Sequence, residues 1–328
     1  MATLSDRLFL ITVLLYAGAM VAWAADLAFR RREVAVVRLD APATLPVAEP
    51  ARQLVGAGAP VGGPDRPRPP VAARSTTTEP VPDRWGLAAR AALGLTGLGW
   101  LVQLGTIVTR GLAAHRVPWG NMFEFSTVVA FVAVTAFLVL LVRERARWLG
   151  VFVLLPVVLY LGFAGVVLYA RAAPLVPALN SYWLKIHVVA AMSATGMFFV
   201  SGIAAILYLM KLRRPDAPLM SRLPSVERLD RLTYGVIAFA FPIWTFAVIA
   251  GAIWAESAWG RYWGWDPKET WSFITWVIYA GYLHARATAG WKGKRSAWFA
   301  VAAFAALIIN YYVVNLYIVG LHSYAGVK

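Results

Sequence analysis

The chain has 328 residues, 60% of them hydrophobic and 14% charged, with a formal net charge of +15 and no cysteine. A soluble domain carries roughly 25% charged residues, so a water-soluble globular class is excluded. Apolar runs of about 20 residues, the length of a bilayer-crossing helix, recur along the chain. No period-two alternation of barrel type accompanies them. The basic excess does not indicate nucleic acid, because Lys and Arg cluster in the segments between apolar runs, as membrane topology requires. Anionic lipid is the fitting partner. Without cysteine the chain makes no disulfide, thiolate metal site or thioether of its own, so thiols come from partner proteins.

In chain order, the first apolar run, 8–29, is too long for a signal-peptide core and lacks a convincing cleavage site. Arg30, Arg31 and Arg32 follow it at once. It reads as a retained first span, domain 1–29, with its basic flank facing the cytoplasm. Residues 30–85 are rich in Pro, Ala and Arg and poor in large apolar side chains, which predicts a disordered cytoplasmic linker acting as a tether. Further spans are predicted at 87–109, 124–142, 149–170, 185–209, 233–255, 271–288 and 296–319, within a membrane domain covering 86–328. The expected fold class is all-α: a polytopic membrane protein of about eight transmembrane helices.

Orientation follows from charge. The linker and the segments 143–148, 210–232 and 286–295 share one side and hold 22 Lys and Arg, against eight on the other. That asymmetry predicts both termini outside, together with the segment between spans six and seven.

The segment between spans six and seven contains "WGRYWGWDPKETW", residues 259–271, and six of the chain's 15 tryptophans fall between Trp254 and Trp276. An interfacial belt of Trp and Tyr is the simplest account of such residues. A belt needs no shaped turn, however, and here Asp266-Pro267 precedes Glu269 in capping-box spacing. The segment, bounded at 256–271, therefore reads as a binding platform. Of the four histidines, His115, His187 and His322 fall on this outer side. Each alone fits an interfacial side chain satisfied by water or a carbonyl. Jointly, two neutral imidazoles flanking an aromatic slot suit the axial positions of haem iron. Trp259, Trp263 and Trp265 can cover a porphyrin, and loop amides, Arg261 or Lys268 can meet its propionates. His284 lies within span seven, where an ionisable group suggests function. Ala280 and Gly281, one turn before it, leave room for a flat ring or simply permit close helix packing.

The tryptophan-rich segment resembles the WWD signature of haem-handling proteins in cytochrome c maturation. "PWGNMFEFS" after His115, "ALNSYWLKIHV" around His187 and "GLHSYAG" around His322 are similar to the membrane subunit of System II cytochrome c synthases, called CcsA or ResC and, in some lineages, CcsB. The resemblance covers roughly residues 85–326. It implies that His187 and His322 ligate the iron of haem b, a transient ligand held by Trp259, Tyr262, Trp263, Gly264, Trp265, Asp266, Pro267, Lys268 and Trp271. It implies that His284 contacts haem at an inner transit site, whose second histidine belongs to a ResB-type partner. His115 matches no ligand. The implied activity is delivery of haem at the outer face of the plasma membrane to apocytochrome c carrying Cys-X-X-Cys-His, with thiols kept reduced by thiol-reducing pathway proteins. Attachment is chiefly positioning of vinyl groups against thiols, and the substrate's histidine then displaces one outer ligand. Asp266 and Glu269 are candidates for proton transfer, although turn formation accounts for both. Three other readings compete: a WWD protein that loads haem onto a chaperone, a b-type respiratory cytochrome subunit, and a non-catalytic scaffold.

Overall fold

A computed structural model describes residues 1–29, 86–173 and 181–322. The expected linker over 30–85 lies outside the described residues, as do 178–180 and 323–326 of the two quoted segments. The described chain is helical throughout: α1 (Ala2–Phe29), α2 (Leu87–Ala114), α3 (Met122–Glu144), α4 (Leu149–Val166), α5 (Tyr182–Arg213), α6 (Val226–Trp259), α7 (Pro267–Ala287), α8 (Lys294–Ile308) and α9 (Val314–Tyr317). Five residues of π-helix, Ile309–Val313, join α8 to α9 without a break in the rod. Short polar motifs set several ends. Asn121 Oδ1 accepts from Glu124 N–H at 2.9 Å to start α3, and Gly260, at φ +70°, closes α6 in the left-handed conformation that glycine tolerates. His115 takes the same backbone region at the end of α2, with φ +52°.

Seven helical rods are long and apolar enough to cross a bilayer, α8 and α9 counting as one. The protein is a multi-pass membrane protein. The exception is α7, whose first turn carries Lys268 and Glu269 and whose last carries His284 and Arg286. Its 21 residues rise about 31 Å at 1.5 Å each, a match for a hydrocarbon core of about 30 Å. With α7 the long helical rods number eight, one for each predicted span. Outward residues such as Leu14, Val142, Leu159 and Phe239 are exposed and apolar, as a lipid-facing surface requires.

The helices form two connected groups. In the first, α1 packs on α2 and α4, and α3 bridges α2, α4 and α5; in the second, α5 packs on α6 and α8, and α7 on α6 and α8. Lipid offers no hydrophobic drive for helix association, so close approach and interhelical hydrogen bonds hold the groups together. Tyr16 donates to Gln103 Oε1 at 2.6 Å, and Gln103 Nε2 donates to the Thr127 carbonyl at 2.9 Å, stitching α1, α2 and α3. Trp23 lies flat against Gly150 of α4, where a Cβ would come within 2.6 Å of the indole, and donates to Thr96 at 3.1 Å. The buried pair Asp26–Arg147, 2.8 Å apart, ties the end of α1 to the entry of α4.

Two glycines of α4 therefore respond oppositely to one added methyl group. Gly150→Ala drives Cβ into Trp23, an overpacking worth about 1–3 kcal/mol, and lowers the thermal unfolding midpoint in detergent. Gly162 meets nothing within 4 Å, so Gly162→Ala leaves the midpoint unchanged or raises it slightly through helix propensity. Intrinsic fluorescence melts of the two variants check both signs.

Candidate functional site

The loop after α6 is built by its own polar groups. Glu269 Oε2 accepts from Gly264 N–H at 2.8 Å and from Asp266 N–H at 3.1 Å, while Asp266 caps α7 with Pro267 in the first turn: the capping box expected from the sequence. Between them Trp265 takes φ +58°, unusual for a bulky residue. Gly264 lies under the Arg261 guanidinium, 2.1 Å from where its own Cβ would stand. The loop's side chains are therefore fixed by backbone geometry rather than by burial alone.

Asp266 reaches beyond its helix. Oδ1 accepts from Leu321 N–H at 2.7 Å, and Oδ2 lies 2.9 Å from His322 Nδ1. Gly320 admits this approach, since a Cβ there would be 2.7 Å from Asp266 Oδ1. Burial alone would raise the Asp266 pKa; the His322 and Leu321 hydrogen bonds outweigh it and hold the carboxyl below its ordinary value. A carboxylate on Nδ1 orients the imidazole and makes its other nitrogen more basic, as in many metal-binding histidines.

His187, in the second turn of α5, is held in a parallel way. Its Nδ1 is 2.7 Å from the Ala247 carbonyl of α6. A carbonyl only accepts, so Nδ1 carries the proton and Nε2 keeps its lone pair. Gly251, one turn further along α6, makes room, because a Cβ would stand 2.7 Å from the His187 ring. Trp254 links the two histidines. Its ring is near-parallel to His187, with centroids 6.4 Å apart, and 6.1 Å from His322, which also meets Trp259 edge-on at 5.0 Å.

Both imidazoles line one cavity, about 1240 Å³ of space when its open mouth is counted. Of the loop residues anticipated from sequence, Trp259, Tyr262, Trp263 and Lys268 line it. Gly264, Asp266, Pro267 and Trp271 do not; the first three shape the turn, and Asp266 holds His322. Trp265 turns outward, 64% exposed, packing on Trp263 and Phe273. His284 lies outside the cavity, 15 residues beyond Glu269 and exposed on the outer surface of α7. The exposed, apolar Phe273 and Val277 precede it on that helix. His115 is likewise outside the cavity.

Several wall residues carry no signal of their own in the sequence. Trp254 reads as one more apolar residue of span six, and Gly251 as a packing glycine. The opposite wall, Trp119 to Met122, is fastened from behind by Glu124. That buried carboxylate accepts from Gly120 N–H at 2.8 Å and pairs with Arg116 at 2.7 Å and Arg110 at 3.1 Å. Arg110 also donates to the Ala170 carbonyl. From the π-helical segment after α8, Asn310 donates to Ser272 at 3.0 Å and its carbonyl accepts from Lys268 Nζ at 2.9 Å.

Comparison with known proteins bears on this geometry directly. The family model described as "Cytochrome C assembly protein" matches residues 119–322, beginning at one wall of the cavity and ending on His322. The chain belongs to the cytochrome c assembly protein family. Among curated relatives, the cytochrome c biogenesis protein CcsA of a Picosynechococcus strain is 34% identical over 310 residues, covering 73% of this chain and 91% of the relative. The CcsA of Guillardia theta is 42% identical over 173 residues, 47% of this chain and 58% of that protein. This is a CcsA-type member. Every cavity-lining residue falls inside the family match, whereas α1 and α2 precede it. A solved structure titled "Cytochrome c Heme Lyase CcmF" shares the fold at TM-score 0.61 and 15% identity, over 95% of this chain and 46% of that one.

The Asp266 contacts give a pH dependence with a definite sign. A depressed folded-state pKa contributes stability that is present above the unfolded value, about 3.9, and is lost as pH falls through the folded value. Acid unfolding of the family member therefore includes an Asp266 component below about pH 4. Asp266→Asn removes that component, and the variant starts from lower stability at neutral pH. Melting curves between pH 3 and pH 7 check both effects.

Proposed function

We propose that the cavity receives haem b between His187 and His322 and presents it at the outer membrane face to apocytochromes carrying Cys-X-X-Cys-His. The observation that carries this reading is the pair of imidazoles. They come from α5 and from the end of the described chain, and each has Nδ1 set against an acceptor so that Nε2 can serve a metal. Among the described residues no cluster of three or more His, Cys, Asp or Glu could hold a bare ion. Two axial nitrogens and aromatic walls suit iron that arrives with its four equatorial ligands already in a macrocycle. Haem here is substrate rather than a resident group.

In this reading Trp254 and Trp259 back the two ligands, and Trp119, Tyr262 and Trp263 enclose the porphyrin. Lys268 rather than Arg261 supports a propionate, because Lys268 lines the cavity and Arg261 lies exposed over Gly264. The loop and both termini lie on the extracytoplasmic side of the plasma membrane, with residues 30–85 as the cytoplasmic tether. His284, on an exposed face of α7, takes part in an inner haem site completed by a ResB-type subunit. Attachment is positioning: holding the vinyl carbons against the incoming thiols makes their addition effectively unimolecular. Both thiols come from the apocytochrome, in keeping with a chain that has no cysteine, and thiol-reducing proteins keep them reduced.

Haem content of the purified complex tests the assignment. His187→Ala and His322→Ala each lower bound haem by about tenfold or more, at least the loss typical of outer-sphere changes at metal sites, and added imidazole restores part of the absorption by occupying the vacated position. Normal spectra in both variants would falsify the ligand assignment. Gly251→Ala reaches the same end without touching a ligand. Its methyl group displaces the His187 ring, so the reduced-haem spectrum shifts or weakens while the protein still extracts and melts as a folded species.

A further inference from the structure

One carboxylate in the cavity wall does more than its structural task requires. Glu269 satisfies the capping box with Oε2 alone, which accepts from both Gly264 and Asp266 N–H. Its other oxygen, Oε1, is buried and has no hydrogen-bond partner among the described residues. Glutamine serves the same capping role as glutamate, so the cap does not account for the charge. A buried acceptor left unpaired is unfavourable, and the residue, only 8% exposed, lines the cavity. A donor carried by the cavity's occupant would satisfy it. Asn310 Oδ1, on a residue 3% exposed in the π-helical segment after α8, is a second unpartnered acceptor. Two acceptors await a substrate that, on the reading above, carries two thiols.

The other charged and titratable groups of the wall are occupied. Lys268 donates to the Asn310 carbonyl, and His187 and His322 are assigned to iron. The Tyr311 hydroxyl bonds Ser126 and the Met122 carbonyl, and Tyr262 lies at the exposed rim. Among the described residues Glu269 is the only carboxylate in the wall.

We propose that Glu269 accepts the cysteine proton during thioether formation and returns it to the vinyl group. The inference rests on the haem-attachment reading above. The S–H bond breaks as its proton passes to Oε1, and sulfur bonds to the inner vinyl carbon. The carbon–carbon double bond becomes single, and its terminal carbon takes the proton back from Glu269. The carboxylate ends as it began; sulfur and vinyl together gain no electrons and lose none, so no further reactant is needed.

The test uses the full chain co-purified with its ResB-type partner, reduced haem and a synthetic Cys-X-X-Cys-His peptide. E269Q keeps the cap and a wild-type haem spectrum, but attachment at pH 7 falls by about a hundredfold, the low end for losing a positioned acid–base group. That deficit shrinks as pH rises past about 8.5, where a free thiol ionises unaided. E269D restores a carboxylate and recovers part of the neutral-pH rate. E269Q attaching haem at the wild-type rate, or slowed equally at every pH, overturns the proposal. If E269Q binds no haem, E269D is decisive: loaded and slowed, with recovery at high pH, it supports the role. E269D that is unslowed, or also without haem, overturns it. A wild-type complex that yields no thioether product sinks the haem-attachment reading itself, an outcome distinct from any of these.

Discussion

The carboxylate of Asp266 joins the start of α7 to the end of the described chain. It accepts from Lys268 N–H at 3.3 Å and Leu321 N–H at 2.7 Å, and it faces His322 Nδ1 at 2.9 Å. Removing one partner would leave the others misaligned, since the cap direction, the path of the tail and the imidazole plane share two oxygens. The geometry also explains why the loop is so constrained. Gly264 and Gly320 are small where neighbouring groups press closest, and Trp265 accepts a left-handed backbone so that Asp266 can face α7 and the tail at once. A strained bulky residue persists only where its surroundings over-determine it.

Around this anchor the bundle keeps an open cavity among closely packed helices. A cavity inside a helical bundle forfeits dispersion contacts, and the two helical groups pack tightly elsewhere. On the α1–α4 side, Gly99 and Gly150 bring the helices onto the rings of Tyr16 and Trp23, and Gln103 bridges three helices. On the α5–α8 side, Phe198 stacks on Tyr279 at 3.9 Å, and Gly202 lies beneath Phe304. One cavity opens beside the aromatic loop, and a second lies among α3, α4, α5 and α8, lined by Val129, Leu159, Phe199 and Phe304. The Glu124–Arg110–Arg116 cluster stiffens the remaining wall with charge-assisted bonds, which outweigh desolvation only because several partners share each ion.

Much of this was legible in the sequence, for identifiable reasons. Membrane helices announce themselves by length and apolarity, and the capping box by an Asp and a Glu three residues apart, so the helices and the turn at Asp266 emerge close to where they were expected. Helix ends were less legible: α1 and α6 run about six or seven residues beyond the apolar pattern at their N-termini, because polar residues continue a helix as readily as apolar ones. The segment's aromatic excess pointed to a platform, but could not separate tryptophans that face the cavity from those that shape it. Trp265 and Trp263 are two residues apart, yet the positive φ at Trp265 sends it outward. The contributions of Trp254 and Gly251 depend on α5 lying against α6, a tertiary fact. The same holds for the second tie of Asp266, whose partners lie 55 and 56 residues away.

The π-helical segment between α8 and α9 was also beyond the reach of periodicity, and it gives the bundle its last adjustment. A π turn widens the helix by one residue and changes which side chains share a face. Here the change falls at Asn310 and Tyr311, which line the cavity together with Leu307 before them and Asn315 after. Asn310 turns its amide to Ser272 and its carbonyl to Lys268, while Tyr311 reaches back to Ser126 and the Met122 carbonyl. One irregular turn thus connects α7 with α3 along the wall of the cavity. A regular helix through this point would shift the register and deliver only part of that bridge. The irregularity is best understood as the backbone cost of lining a polar-edged cavity inside a membrane bundle, where each wall helix must present several polar groups in one direction without exposing them to lipid.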